Sequence, residues 1–217
     1  MADEVSTKVS PALHPTNVTK LDGYSDETAA VLAPTEDAFR QAYKAVGDVF
    51  GAREAARQNP TWNESAQVIA TQEYADRVYD KVARTFDSVR DRLEKGIASL
   101  EQQLSAPVES KASLQISQEI RAHMKGLGLG ERLGFIRQAI MEDDERTALA
   151  VLGAPAYLSG LDPKMSAVLL REYHARNSPQ MANRLKAMQG AQALIERNGP
   201  IVFRELERAV GMHPSEV

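Results

Sequence analysis

The chain has 217 residues, of which 43% are hydrophobic and 26% are charged, and its formal net charge is −4 at pH 7. These proportions are ordinary for a globular protein, and the acidic balance gives no general attraction to nucleic acid or anionic membranes. The absence of cysteine excludes disulfides, thiolate nucleophiles and cysteine-ligated metal sites. No segment reaches the ~20 apolar residues of a membrane span, so we expect a soluble protein made in the cytoplasm.

Residues 1–33 are predicted to form an extended N-terminal arm. The segment is rich in proline, serine and threonine and shows no sustained period of 2 or 3.6 residues. Alone, it would bury too little apolar surface to offset the entropy of ordering it. Two interpretations stay open: the arm folds back on its own domain, or it docks on another subunit. Docking makes six residues candidate partner-binding residues: Val5, Val9, Leu13, Val18, Leu21 and Tyr24.

Residues 34–106 are predicted to form a helical hairpin. The first helix begins at Pro34 or Thr35, because proline is tolerated in the first helical turn and the acids that follow suit the helix dipole. It ends at the Asn59-Pro60 step, since proline disfavours the helical region for the preceding residue. Trp62 is predicted to pin the corner before the second helix.

The second helix of the hairpin is predicted to run from Asn63 to about Leu104, which is roughly 60 Å at 1.5 Å per residue. Its apolar stripe, which starts at Tyr79, advances in steps of three and four, a heptad pattern with one stutter. The other faces carry i,i+4 charge pairs that support a solvated helix: Glu73–Arg77, Asp80–Arg84, Arg90–Glu94 and Asp91–Lys95. We expect the stripe to bind a partner helix through Val82, Phe86, Val89, Leu93, Ile97 and Leu100.

Residues 107–217 are predicted to form a bundle of short helices. Asp162-Pro163 and Ser178-Pro179 each place a capping residue before a proline at the first helical position. Gly211 follows the last helix as a stop signal. The predicted helices cover about 110–125, 130–142, 144–152, 163–176, 179–197 and 200–210. The fold class is therefore all-α: a long heptad-bearing helix, a C-terminal bundle and an extended N-terminal arm.

Two segments were considered as ligand sites. Gly126–Gly134 is glycine-rich, but it lacks the glycine spacing and the preceding strand of a dinucleotide-binding loop, so a flexible helix–helix hinge is favoured. Glu142–Glu145 is a run of four acids without the staggered spacing and glycine turn of a calcium loop. We interpret it as a corner at which Asp143 or Asp144 caps the next helix, with a Mg²⁺ or Ca²⁺ site as the alternative.

Histidine and basic residues show no catalytic or nucleic-acid signature. No histidine has a second one at i+3 or i+4, and no HExxH or GxSxG motif occurs. Two basic clusters lack interleaved aromatic residues, so nucleic-acid contact would be incidental. We expect no enzymatic activity, cofactor or metal, although a spatial pair of catalytic carboxylates stays open. The histidines are His14, His123, His174 and His213; the clusters are Arg121, Lys125, Arg132 and Arg137, and Arg171, Arg176, Arg184 and Lys186.

The stretch ERLGFIRQAIMEDDERTALAVLGAPAYLSGLDP, followed by LLREYHARNSPQ, combines a short acidic break, a Leu-Gly-Ala-Pro stop and an Asp-Pro helix start. In these features residues 120–210 resemble small all-helical proteins of uncertain role encoded by tailed bacteriophages and prophages. The resemblance covers under half of the chain. It implies a virion-associated or assembly role and carries no site residues.

Together these features predict a structural or assembly protein of a tailed phage particle, at the portal and neck or inside the head. It would be made in the host cytoplasm and act as a non-enzymatic homo-oligomer. It would bind other copies of itself and neighbouring particle proteins through the long helix and the arm, and it would not contact a membrane. A cytosolic helical adaptor or scaffolding chaperone is the alternative, and an unrecognised helical enzyme is a third.

Overall fold

The computed structural model describes residues 7–211, and every regular element in this range is helical, which confirms the all-α prediction. The chain divides into two units. Unit 1 contains the described residues 7–97 and 186–211, and unit 2 contains residues 98–185. The α-helices are α1 Thr16–Thr19, α2 Asp26–Arg57, α3 Glu64–Gln103, α4 Leu114–Gly126, α5 Leu129–Met141, α6 Glu145–Leu152, α7 Pro163–Asn177, α8 Pro179–Asn198 and α9 Ile201–Val210, with 3-10 turns at Pro11–Leu13 and Ala156–Ser159.

These units differ from the predicted division at residues 33 and 106. The last helix, α9, packs against α2 within unit 1 and does not close the C-terminal bundle. Its apolar face, which includes Val202, Leu206 and Val210, is buried there. Unit 1 is therefore assembled from both ends of the described chain.

The described part of the N-terminal segment, from residue 7 onward, is not an extended arm, and this corrects the sequence prediction. It forms a 3-10 turn and α1, and it packs on unit 1. Of the six candidate partner-binding residues, three are buried, two are half-buried and one lies outside the described residues; these are Val9, Leu13 and Val18, then Leu21 and Tyr24, and then Val5. The first interpretation, folding back on the same domain, is the one that the structure supports.

Polar side chains of α8 and α9 supply the hydrogen bonds that hold this segment in place. Ser10 N–H donates to the buried carboxylate of Glu205 at 2.9 Å, and Asn198 Nδ2 donates to the Ala12 carbonyl at 2.8 Å. Arg208 donates to the Lys8 carbonyl and also to Glu205. Since buried backbone groups need partners, these contacts explain how a segment without its own periodic pattern is ordered.

Helix α2 begins at Asp26 and not at Pro34, which is a second correction. Ser25 N–H donates to Thr28 Oγ1 at 2.8 Å, and two acids occupy the first turn. Pro34 lies inside the helix, where it removes one backbone hydrogen bond but does not stop the element. Leu32, in the turn before the proline, is fully buried, so tertiary packing stabilises this extension.

The corner between α2 and α3 is built from asparagine side chains, not from the tryptophan predicted to pin it. Trp62 is 41% exposed. Asn59 Oδ1 accepts from Thr61 N–H at 3.0 Å, and Asn63 Oδ1 accepts from Ala66 N–H at 2.8 Å at the start of α3. Helix α3 then continues to Gln103, which confirms the predicted long helix.

Unit 2 contains α4 to α7, whose bounds lie within a few residues of those predicted. The core gathers Met124, Ile136, Leu149, Leu169 and Tyr173 from all four helices. Local side-chain caps begin three of the helices. Asp144 for α6 and Asp162 for α7 were predicted from the sequence, whereas Ser113, which begins α4, was not.

Among the helices described here, none is both long and apolar enough to cross a membrane.

Candidate functional site on the long helix

The acids Glu142–Glu145 form the corner between α5 and α6. Asp144 Oδ1 accepts from Thr147 N–H at 3.1 Å, which confirms the predicted cap, and hydrogen bonding by Thr147 lowers the pKa of Asp144. Arg176 donates to both carboxylate oxygens of Asp143, at 3.0 and 3.1 Å. This contact lowers the pKa of Asp143 and raises that of Arg176.

The two outer acids are also engaged within unit 2. Glu145 pairs with Lys111 at 2.6 Å, and this hydrogen bond raises the pKa of Lys111. Glu142 accepts from Gln138 Nε2 at 2.9 Å. Across residues 7–211 no group of three or more His, Cys, Asp or Glu is arranged to hold a metal ion. The observed contacts are those of a structural corner.

Within the glycine-rich segment Gly126–Gly134, only Leu127 and Gly128 lie between α4 and α5, because residues 129–134 form the first turns of α5. Arg132 donates to the carbonyls of Met124 and Lys125, at 3.1 and 2.9 Å, and to the Gly160 carbonyl at 2.7 Å. Gly160 has a φ of +69°, and a Cβ there would lie 2.9 Å from Arg132 Nη1. The short connection between α4 and α5 is therefore stabilised by hydrogen bonds from Arg132 to backbone carbonyls.

Two other members of the basic clusters likewise serve internal contacts of unit 2, whereas Lys186 lies in unit 1 and pairs with Asp22 at 3.5 Å. Arg121 donates to the Ala150 carbonyl at 2.8 Å. Arg137 forms two hydrogen bonds with Glu172, at 2.8 and 2.9 Å, and this carboxylate raises the pKa of Arg137. The described histidines also have structural contacts: His14 Nδ1 with Thr16 Oγ1 at 2.8 Å, the His123 ring with Phe135 at 5.3 Å and His174 Nε2 with the Ala106 carbonyl at 2.8 Å, while His213 lies outside the described residues.

The apolar stripe of α3 is buried within the single chain. The rings of Phe86 and Phe39 meet edge to face with centroids 5.0 Å apart. These stripe residues are thus core residues, and any partner of α3 must approach another face of the helix. Of the six predicted partner-binding residues here, five are buried, namely Val82, Phe86, Val89, Leu93 and Leu100, and Ile97 is half-buried.

Away from this buried stripe, α3 carries exposed charges in two separate rows. With about 100° per residue, the rows lie ~90° apart around the helix axis, and each lies ~135° from the buried stripe. Every member of both rows is exposed. The basic row is Arg77, Lys81, Arg84, Ser88, Arg92 and Lys95, and the acidic row is Glu73, Asp76, Asp80, Asp87, Asp91 and Glu94.

Few of these charges are neutralised along the helix. Asp80 and Arg84 are 3.8 Å apart, and Arg90, which belongs to neither row, lies 3.0 Å from Asp87 and 3.9 Å from Glu94. The two other predicted i,i+4 pairs do not form. Within residues 7–211 four cations of the basic row have no ion pair or hydrogen bond: Arg77, Lys81, Arg92 and Lys95.

The basic row forms one wall of a groove between α2 and α3. The groove has a volume of about 590 Å³, and its α2 wall includes Pro34, Asp37 and Gln41. On that wall the acid already has a partner, because Asp37 pairs with Arg40. Farther along α2, Asp48 pairs with Lys44 at 2.7 Å and raises the pKa of Lys44. The unpaired positive charge of the groove therefore comes from α3.

A second groove on unit 1 is mainly apolar, although Asp87, Arg90 and Glu196 also line it. The Tyr79 and Phe203 rings meet edge to face with centroids 5.6 Å apart, and they are 40% and 51% exposed. Tyr79 was predicted as part of the buried stripe, so this exposure is a correction. The rings line a groove of about 590 Å³ whose floor includes Val82 and Phe86. An exposed aromatic pair over an apolar floor is typical of a protein contact surface.

The basic and acidic rows are the candidate functional feature that sequence reasoning missed. The i,i+4 pairs are visible one at a time in the sequence, but the rows separate only around the helix axis, where charges at 100° per residue fall on two faces. Comparison with known proteins gives no further guidance: no protein-family model matches the chain, and no curated protein or solved structure is significantly similar to it.

Proposed function

We propose that the chain is a non-enzymatic structural or assembly subunit of a tailed bacteriophage particle, at the portal and neck or inside the head. Its contact surface is the solvent-exposed side of α3. The observation that carries the proposal is the separation of exposed charges into the basic row and the acidic row. The resemblance of residues 120–210 to phage-encoded helical proteins supports the choice of particle.

Separated rows favour intermolecular contact over simple solvation. A helix that only faces water gains most when opposite charges alternate at i,i+4. Three of the four unpaired cations of the basic row, Arg77, Lys81 and Arg92, line the groove between α2 and α3, and few acids reach them. A partner with matching charge would be steered to this face and oriented by it.

The experiment is mass spectrometry of purified particles from a phage or induced prophage that encodes this chain. We expect the chain in mature particles at a stoichiometric copy number, resistant to washing. A tagged chain in which Lys81, Arg84 and Arg92 are changed to glutamate should be incorporated less. Its control reverses three exposed cations elsewhere: Lys20, Lys164 and Arg204. Absence from both mature and precursor particles would overturn the proposal.

A second candidate is a cytosolic helical adaptor or scaffolding chaperone. The exposed Tyr79–Phe203 pair favours it, because an open apolar groove suits transient binding of an amphipathic helix. In that case the chain would occur in precursor particles or with free subunits and be absent from mature particles. Tyr79→Ser and Phe203→Ser would then weaken partner binding more than the charge reversals do.

A further inference from the structure

We propose that the partner of α3 is α3 of a second copy of this chain. The two helices run parallel, and the basic row of one copy lies against the acidic row of the next. This inference rests on the proposed function and names its partner. It starts from charge complementarity within one molecule, since the same helix presents both rows.

Symmetry selects the parallel arrangement. In an antiparallel pair related by a two-fold axis, each row would meet its own copy, so cations would face cations and acids would face acids. In a parallel pair, or in a ring of parallel helices, the rotation brings the basic row to the acidic row of the neighbour. The sequence pattern therefore favours parallel helices and disfavours antiparallel ones.

The two rows also match in length and in their position along the helix axis. The basic row runs from Arg77 to Lys95 and the acidic row from Glu73 to Glu94. These spans are roughly 27 and 32 Å at 1.5 Å per residue. Because the spans overlap almost completely, parallel copies can pair without an axial shift. The neighbour's acidic row would bind in the groove between α2 and α3, beside the basic row.

The acidic row argues against a nucleic acid as the occupant. A duplex or single strand lying along the basic row would carry its phosphates past six carboxylates a quarter turn away. The net charge of −4 adds long-range repulsion. A second copy carries the same net charge, but at the contact itself its acids face the cations and its cations face the acids.

Charge reversal tests the proposal with full-length protein. The base-reversed variant is Lys81→Glu, Arg84→Glu and Arg92→Glu, and the acid-reversed variant is Asp80→Lys, Asp87→Lys and Asp91→Lys. At about 20 mM salt, where screening is weak, wild type should self-associate reversibly in analytical ultracentrifugation. Each variant alone should bind itself at least about tenfold more weakly, since several exposed pairs must act together. Mixing the two variants should restore association.

The cation reversals at Lys20, Lys164 and Arg204 are the control for total charge, and this control should associate as wild type does. Circular dichroism checks that every variant stays helical, and rescue by mixing excludes misfolding as the cause of lost association. Association that does not weaken in 0.5 M salt, or reversed variants that associate like wild type, would overturn the proposal. Binding of a DNA or RNA oligomer to wild type in place of self-association would overturn it as well.

Helix direction can be measured because the chain has no cysteine. Ile69 lies near the start of α3, one turn before the acidic row, and is 47% exposed, so a spin label on Ile69→Cys replaces no charge of either row. Parallel helices place the two labels within about 25 Å, and antiparallel helices place them about 50 Å apart, from the helical rise. The longer distance would overturn the parallel arrangement.

Failure of this inference is distinct from failure of the proposed function. A chain that is monomeric at low salt but present in particles would refute self-association and leave the assembly role in place. A chain that self-associates as described but is absent from particles would refute only the particle role.

Discussion

Unit 1 and unit 2 are both helical, but they are closed by contacts of different range. The hydrogen bonds that hold the N-terminal segment to α8 and α9 join residues 186, 195 and 200 positions apart. In unit 2, side-chain bonds such as Arg121–Ala150 and Arg137–Glu172 join residues 29 and 35 positions apart. Unit 2 is therefore defined by local signals, whereas unit 1 depends on segments that are distant in sequence.

Removal of the N-terminal segment should have the largest effect, because it should destabilise unit 1 and leave unit 2 folded. Deleting residues 1–25 exposes the groove that Val9, Leu13 and Val18 fill, and each such residue contributes about 1.5–3 kcal/mol. We expect unit 1 to lose its cooperative thermal transition, as measured by circular dichroism, while amide exchange in unit 2 stays protected. A truncated chain with an unchanged melt would show that the segment is dispensable.

A core truncation in each unit sharpens the comparison. Phe39 is fully buried against Phe86, so Phe39→Ala should lower the free energy of unfolding of unit 1 by about 3–5 kcal/mol. Leu169→Ala should cost unit 2 about 2–5 kcal/mol. Trp62, the single tryptophan, belongs to unit 1, so urea unfolding followed by its fluorescence reports on unit 1. If Leu169→Ala shifted that fluorescence transition equally, the two units would not be energetically separate.

The long-range hydrogen bonds can be tested through Glu205. Glu205→Ala leaves the Ser10 N–H and the Arg208 guanidinium without their buried acceptor, which should cost unit 1 about 1–3 kcal/mol in urea denaturation. Glu205→Gln keeps one acceptor oxygen and should recover part of the loss. Arg204→Ala, an exposed change on the same helix, should stay within about 0.5 kcal/mol. Equal effects of the alanine and glutamine variants would argue against the hydrogen bond.

A local cap in unit 2 should matter less. Asp144→Ala removes the acceptor for Thr147 N–H at the start of α6, at a cost of about 1 kcal/mol. Asp144→Ser retains a capping oxygen and should be nearly neutral. Chemical denaturation of unit 2 provides the measurement, and a loss as large as that of Leu169→Ala would mean that Asp144 does more than cap.

The smallest expected effect is a dependence on pH in unit 2. The folded-state pKa values of Asp143 and Asp144 are lowered by Arg176 and Thr147. Their contribution is therefore present above the unfolded carboxyl pKa of about 3.9 and is lost as the pH falls through the lowered folded values. Melting temperatures between pH 6 and pH 2 should show this decline, and Asp143→Asn with Asp144→Asn should flatten it. An identical pH profile in the double variant would exclude these two carboxyls as the cause.

Much of the helical framework could be predicted because its signals are local. Asp162-Pro163 and Ser178-Pro179 begin α7 and α8 where the sequence places them. The error at α2 arose from treating Pro34 as a helix start, although Ser25 followed by two acids was an available capping signal. Trp62 was misjudged because a large apolar residue in a turn need not be buried.

By itself, the sequence determined the all-α class, the long helix, the caps of unit 2 and the order of charges along α3, since each depends on residues a few positions apart. Only the tertiary structure decided that the N-terminal segment belongs to unit 1, because Glu205 and Asn198 reach it across nearly the whole chain. It also decided which side of α3 stays in water. Burial of the apolar stripe against the same chain turns the two charged rows outward, and a periodic pattern cannot reveal whether its partner is its own chain or another.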